Sequence, residues 1–321
     1  MNNLYLGIDL GGTTVKFGVV DNTGNIKEQW NIPTNIEDHG SHILPDMINS
    51  IKNRLPKYKE QGDQILGIGM GTPGSVDPYK GTVTGAYNLN WTEEQLLKEE
   101  FETNFKIPFF IENDANVAAL GERWVGAGEN ENDVVFVTIG TGIGGGIIAN
   151  GKLVRGVAGS GGEIGHIVVK PDGDACTCGS RGCLETIASA SGIAKVGKVI
   201  AKKHLDSELY KASKEDNFDA KIVFDLAKSG DQAAIEAVED VTYYLAWGLG
   251  QVADILNPQY IVIGGGVSAA GNFLLDYINN FFPNFVFPNV KKSTSLRLAQ
   301  LGNDAGILGA ASLVRENLKE L

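Results

Sequence analysis

Cysteine is scarce in this chain, with three in 321 residues, and none is spent outside one short loop. An odd, clustered count does not furnish a disulfide framework; it fits metal thiolates in a reducing compartment. Long apolar runs are missing too. No stretch is long enough to cross a bilayer, and Met1-Asn2-Asn3 leads into an apolar strand with no basic segment, apolar h-region or cleavage site. The expectation is a soluble, cytoplasmic protein with no membrane partner. Positive charge is in deficit, 27 Lys and Arg against 39 Asp and Glu, for a net charge of −12. That leaves no basic footprint for nucleic acid and would repel anionic lipid, so an anionic substrate needs a dedicated local site. No glycine-rich stretch ends in Gly-Lys-Ser or Gly-Lys-Thr, which excludes a P-loop.

What the chain does hold is concentrated between Gly162 and Glu185, where G-E-I-G-H is followed by C-T-C-G-S-R-G-C-L-E. Cys176, Cys178 and Cys183 lie close enough to converge from one glycine-punctuated loop, and His166 supplies a fourth ligand from the preceding segment. One imidazole and three thiolates make a standard structural zinc set. Glu163 and Glu185 flank these ligands, so a metal site and a ligand site are expected side by side.

A length of 321 residues points to about two domains. Leu4–Leu10, Lys16–Val20, Ile65–Gly69, Phe109–Ile111, Val134–Ile139, Gly145–Ala149 and Tyr260–Ile263 read as short core strands. Ile43–Leu55, Glu93–Phe105, Ala115–Trp124, Ala188–His204 and Gln232–Leu256 carry helical spacing, with Thr92 and Gln95 matching a capping box and Asp231 placed as an N-cap. This is an α/β pattern. Asp206–Asp219 is polar and weakly periodic, and reads as a surface connection.

A weak internal repeat adds more. A shift of 128 positions lays Gly12-Thr13 on Gly140-Thr141, Gly18-Val19-Val20 on Gly146-Ile147-Ile148 and Asn22 on Asn150. Each copy is strand, glycine-rich turn, strand, and each turn exposes backbone amides to which an anion can bind. Two such hairpins suggest a duplicated domain with a cleft between the copies, in which a phosphate chain is held from both sides. Gly140, Gly142 and Gly145 also match the dinucleotide fingerprint, but that motif must open a helix. Here it runs on into Ile147-Ile148 and the turn Asn150-Gly151, so no helix N-terminus is available.

Two aspartates stand at strand ends. Asp9 precedes the first hairpin, where a carboxylate can hold magnesium, usually through water, or else cap the turn. Asp114 follows F-F-I-E-N and begins a helix, placed either as an N-cap or to accept a proton from a sugar hydroxyl while Asn113 bonds another. Glu112 is read as facing the core.

D-L-G-G-T at Asp9–Thr13, E-N-D at Glu112–Asp114, G-T-G-I-G-G-G at Gly140–Gly146, G-G-E-I-G-H at Gly161–His166 and C-x-C-G-x-x-G-C-x-E at Cys176–Glu185 together resemble the ROK (repressor, ORF, kinase) family over nearly the whole chain. Within it, G-T-P-G at Gly71–Gly74, N-L-N-W at Asn88–Trp91 and E-T-I-A-S-A-S-G at Glu185–Gly192 are most similar to bacterial glucokinases. The resemblance implies the actin-like ATPase fold, two RNase H-like domains with a cleft between them. Residues 1–114 with 303–321 would form the smaller domain and 115–302 the larger, and the C-terminal helix Ala305–Asn317 would return to the first, packed through Gly306 and Gly309.

It also implies ATP, magnesium and phosphorylation of a hexose 6-hydroxyl. Asp114 would be the base, and Asn88, Asn113, Glu163, His166 and Glu185 would hold the remaining hydroxyls. Asp9 would organise magnesium. Gly11, Gly12, Thr13, Lys16, Thr141 and Gly142 would line the phosphates, and Gly264, Gly265 and Gly266 would border the adenosine. An ATP-dependent glucokinase, as a dimer or tetramer, is the leading expectation. Another ROK hexose kinase (for fructose, mannose or an N-acetylhexosamine) or a polyphosphate-using glucokinase comes next. A sugar-responsive repressor ranks last, because the phosphate strand begins at Leu4 with no room before it for a DNA-binding helix pair.

Overall fold

The computed structural model describes residues 2–320, in two compact bodies. The first takes the chain up to Asn130, the segment Arg155–Gly161 and the chain from Leu301 onward; the second takes Glu131–Val154 and Gly162–Gln300. Among the described residues, no helix is long and apolar enough to cross a membrane.

In the first body, β1 (Asn3–Leu10), β2 (Thr14–Asp21), β3 (Ile26–Pro33), β4 (Gln64–Thr72) and β7 (Phe109–Asn113) form one sheet in the order β3-β2-β1-β4-β7. β1 pairs antiparallel with β2 and parallel with β4, which pairs parallel with β7. A small hairpin of β5 (Ser75–Asp77) and β6 (Thr82–Thr84) stands apart from it. The central strands are buried on both faces, as their mostly apolar runs require. On one face lie the helices Ile43–Lys52 and Leu97–Phe105, where Phe101 stacks on Phe109 at 4.5 Å. The other face carries the C-terminal helix Ala305–Glu320.

That helix lies close because the sheet beneath it has no side chains in the way. A Cβ at Gly7 would strike the Ile307 carbonyl, and one at Gly69 the Ala310 carbonyl. The helix Asp114–Val125 meets the same helix backbone to backbone, through Gly121 against Ala305 and Gly309 against Val117. A boundary after Asp114 would assign the rest of this helix, Ala115–Val125, to the larger domain; this glycine contact goes with its place in the first body instead.

The second body repeats the plan. β8 (Val134–Ile139), β9 (Ile143–Ala149), β10 (Lys152–Leu153), β11 (Tyr260–Gly264) and β12 (Ser295–Leu298) run in the order β10-β9-β8-β11-β12, with the same antiparallel and parallel pairings. The shift of 128 residues carries β2 onto β9 within one residue. Its core is centred on the helix Gln232–Leu256, started by Asp231 accepting from Ala234 N at 2.8 Å. Two sheets of one topology make this the doubled RNase H-like architecture of the actin-like ATPase fold.

Three local expectations are corrected. Thr92 and Gln95 do not cap a helix, because Gln95 exchanges backbone hydrogen bonds with Val83 and the helix starts only at Leu97. Ala188–His204 is not one helix; Ser189 is extended and caps a new one, Ala190–Ala201, from its hydroxyl to Gly192 N. Asp206–Asp219 is not a plain connection, since it contains the short helix Glu208–Ala212, and Asp219 caps a further helix, Ala220–Lys228.

Candidate active site

In the first body, the carboxyl ends of three parallel strands set the geometry. Register places Asp9 beside Gly71 and Gly71 beside Glu112, so Asp9 and Glu112 stand two strand spacings apart, roughly 9–10 Å. Asp114 follows two residues on, at the same edge. Asp9 is half-buried, 3.5 Å from Lys16 Nζ and against Gly306 in the first turn of the C-terminal helix. Burial raises its pKa, and Lys16 pulls the other way without cancelling that effect. Asp114 keeps an open face to solvent, yet desolvation on its other side raises its pKa above the ordinary carboxylate value. Its hydrogen bond from Ala115 N lowers it, and the charge of Asp9 raises it further. A carboxyl so placed is a stronger proton acceptor than a solvated aspartate.

Asn113, not Asp114, is the helix N-cap; its Oδ1 accepts from Ala115 N at 3.0 Å, and Asp114 Oδ1 shares that donor at 2.8 Å. The first hairpin turn is braced by Thr34, whose hydroxyl donates to Gly11 O at 2.7 Å and whose N–H donates to Thr13 O at 3.0 Å. Asn88 sits over this turn, and a Cβ at Gly12 would lie 3.3 Å from its Nδ2. Asp9, Gly11, Gly12, Thr13, Lys16, Asn88, Asn113 and Asp114 thus all belong to one body.

The second body holds the other group. Gly140 N bonds to Gly142 O at 2.9 Å to close the second turn, and Ser191 at the next helix's start donates to Thr141 O at 3.0 Å. Beside it lies a cavity of about 360 Å³ lined by Gly140, Thr141, Ala190, Phe224, Gly266 and Val267. Of the three glycines expected there, Gly266 lines it. Gly264 packs behind Phe136, and Gly265 takes a positive φ of 83° against the Ile139 backbone. Phe224, with Lys221, Asp225 and Lys228 from the same helix, borders this cavity and was missed in sequence. A groove of about 750 Å³ beside Lys170, Lys195 and Glu236 touches none of the expected site residues.

The cysteine loop closes on His166. Cys176 Sγ lies 3.5 Å from His166 Nδ1, Cys178 Sγ lies 3.7 Å from Cys183 Sγ, and one ligand atom from each of the four lies within 4.8 Å of the others. Zinc bonds of about 2.3 Å to sulfur and about 2.0–2.1 Å to nitrogen put tetrahedral ligands roughly 3.6 Å apart for sulfur and nitrogen and roughly 3.8 Å for two sulfurs. The donor set fits that ion. With Nδ1 turned to the cysteines, Nε2 points away, 3.8 Å from Glu163. Glu185 has one oxygen 3.4 Å from Cys176 Sγ and the other accepting from Ile143 N, in the second hairpin, at 3.3 Å.

These arrangements have close counterparts. A glucokinase of Halalkalibacterium halodurans is 42% identical over 314 residues, 97% of this chain and 95% of that one. A solved ROK family glucokinase from Streptomyces griseus, in complex with glucose and AMPPNP, is 34% identical, covers 98% of this chain and 99% of its own, and superposes with a TM-score of 0.73. A xylose repressor of Bacillus spizizenii is 32% identical over 98% of this chain and 78% of its own length. The ROK family model matches residues 5–317. With a match of that span, and that identity along almost the whole of both chains, this chain belongs to the ROK family.

Proposed function

We propose that the chain is an ATP-dependent glucokinase that transfers the γ-phosphoryl group to the 6-hydroxyl of glucose. The observation that carries the reading is Asp114, a carboxyl of raised pKa at a strand end beside Asp9 and the first glycine hairpin. Asp114 takes the proton of the attacking hydroxyl. Asn88 and Asn113 from the first body, and Glu163, His166 and Glu185 from the second, bond the other hydroxyls and fix the sugar's direction. Phosphoryl transfer needs positioning and charge stabilisation more than covalent chemistry, so amide-rich hairpins and one base suffice. Gly11, Gly12, Thr13 and Lys16 line the phosphates from one body, and Thr141 and Gly142 from the other. The apolar cavity beside Gly266 takes the adenosine. Asp9 would hold magnesium through water, and the bound ion would offset phosphate charge. Structural zinc would sit on His166, Cys176, Cys178 and Cys183, fixing the ring so that Nε2 meets the sugar.

The glucokinase names of full-length relatives support glucose over other hexoses. The repressor relative does not outweigh them, because it is less similar, 32% against 42% identical, and this chain spans 78% of its length against 95% of the glucokinase's. A dimer or tetramer in the cytoplasm completes the reading; exposed Tyr243 and Ile255 on the helix Gln232–Leu256, and exposed Phe287 beyond it in the second body, support self-association. A coupled assay for ADP release across glucose, mannose, fructose, N-acetylglucosamine and N-acetylmannosamine, with ATP or polyphosphate, tests it. Glucose with ATP should give the highest kcat/KM; equal or better turnover of another pair would replace the assignment.

A further inference from the structure

The buried carboxylate of Glu112 has no part in the scheme above, yet it lies two residues from the base. Its side chain is 4% exposed and its contacts leave little idle. Oε1 accepts from Asn113 N at 3.0 Å and from Asn116 Nδ2 at 3.1 Å, and Oε2 accepts from Arg155 Nε at 2.6 Å. Arg155 is the first residue of Arg155–Gly161, the strap that belongs to the first body although the chain on both sides belongs to the second. The strap is closed on itself by Gly161 N donating to Arg155 O at 2.7 Å, and Gly156 and Gly159 turn it with positive φ. It runs directly into Gly162-Glu163, the start of the segment that carries His166.

From this geometry we infer that Arg155 is a positioning residue for the transfer step, acting through Glu112 on the Asn113–Asp114 junction. The reason is the chain of bonds. The direction of the Asp114 carboxylate depends on Ala115 N, which it shares with Asn113, and the Asn113 backbone is in turn held by Glu112. Without the guanidinium, a buried carboxylate either recruits water or turns toward it, and either movement releases Asn113 N or Asn116. A displacement of about 1 Å at a reacting group can cost roughly a hundredfold in rate. A buried ion pair adds little net stability over apolar packing, so its use here is orientation. Arg155 touches none of the reacting atoms in this account.

The inference rests on the kinase reading, and the test separates the two. Wild type, R155M, R155K, E112Q and the double variant R155M/E112Q are compared at saturating glucose and ATP, well below their melting temperatures. R155M should lose about ten- to a hundredfold in kcat, with the KM for ATP within about twofold of wild type. R155K, which keeps a cation within reach, should recover most of the loss. Adding E112Q to R155M should also recover part of it, because the amide still accepts from Asn113 N and carries no charge that needs a partner. The double variant also removes the unpaired buried charge, which keeps the test open if R155M folds poorly. Two results would overturn the assignment alone: an R155M kcat within twofold of an active wild type, or a loss that R155K does not relieve. A wild type without turnover on any hexose would overturn the kinase reading and this assignment together.

Discussion

Asp114 carries opposite demands from folding and from chemistry, and the sign of each can be worked out. Its folded pKa is raised, so folding favours the protonated carboxyl, and the stability this gives is present only at low pH and lost as pH rises through the folded value. At neutral pH the charge is a cost, and the benefit is a better base. Asp114→Asn should therefore lose two to four orders of magnitude in turnover while melting no lower than wild type. Glucose affinity by calorimetry should stay within a few-fold, since an amide still bonds a hydroxyl. In wild type the acid limb of kcat/KM should fall above pH 3.8, the ordinary aspartate value from which Asp114 is raised. Near-normal turnover of the variant would remove Asp114 from the mechanism. The same carboxyl shows how far sequence reaches at this scale. The placing of Asp9 and Asp114 at strand ends and the gathering of His166 with three cysteines were legible because each residue sits in a short local motif. Arg155 was not, because its partner Glu112 is 43 residues away and nothing local marks the pairing.

Among elements, the C-terminal helix has the least room to move. Gly309 faces the Val117 carbonyl so closely that a Cβ has no space, and Gly306 rests on Asp9. Overpacking there costs roughly 1–3 kcal/mol or more. Gly309→Ala should accordingly lower the melting temperature, by about 2–4 °C for each kcal/mol. As the helix's first turn shifts away from Asp9, the KM for ATP should rise. An unchanged melting curve would mean that the helix slides without penalty. The family resemblance implied this helix, and apolar runs marked β1, β8 and β11, which are buried on both faces. The sequence hid β3, where Lys27, Glu28 and Gln29 follow one another on a half-exposed edge, and β12, which is only four residues long. It also hid the helix Ala220–Lys228, whose capping residue Asp219 closed a stretch too polar to show a period.

At the scale of the whole molecule, duplication gives each body its own glycine hairpin, but the two hairpins are supported differently. The first is braced by Thr34, with Asn88 over its turn, and neither residue belongs to the cysteine loop. The second is tied to that loop by Glu185, which reaches Cys176 with one oxygen and the hairpin's Ile143 N with the other. Ile143 and Glu185 are 42 residues apart, so no local pattern marks this link, and it couples the second hairpin to the cysteine loop. Cys178→Ser should lose the metal and weaken glucose binding strongly, since His166, Glu163 and Glu185 all lose their setting. Nucleotide affinity should fall as well, but by much less, because the cavity beside Gly266 and the first hairpin stay intact. Wild type should contain about one zinc per chain, as four ligands fill one tetrahedral site. Elemental analysis with separate calorimetric titrations of glucose and a nucleotide analogue reads all three. Glucose affinity unchanged in a metal-free variant would detach the loop from the sugar site. Nucleotide loss as large as the glucose loss would mean that Glu185 supports the hairpin more than the sugar.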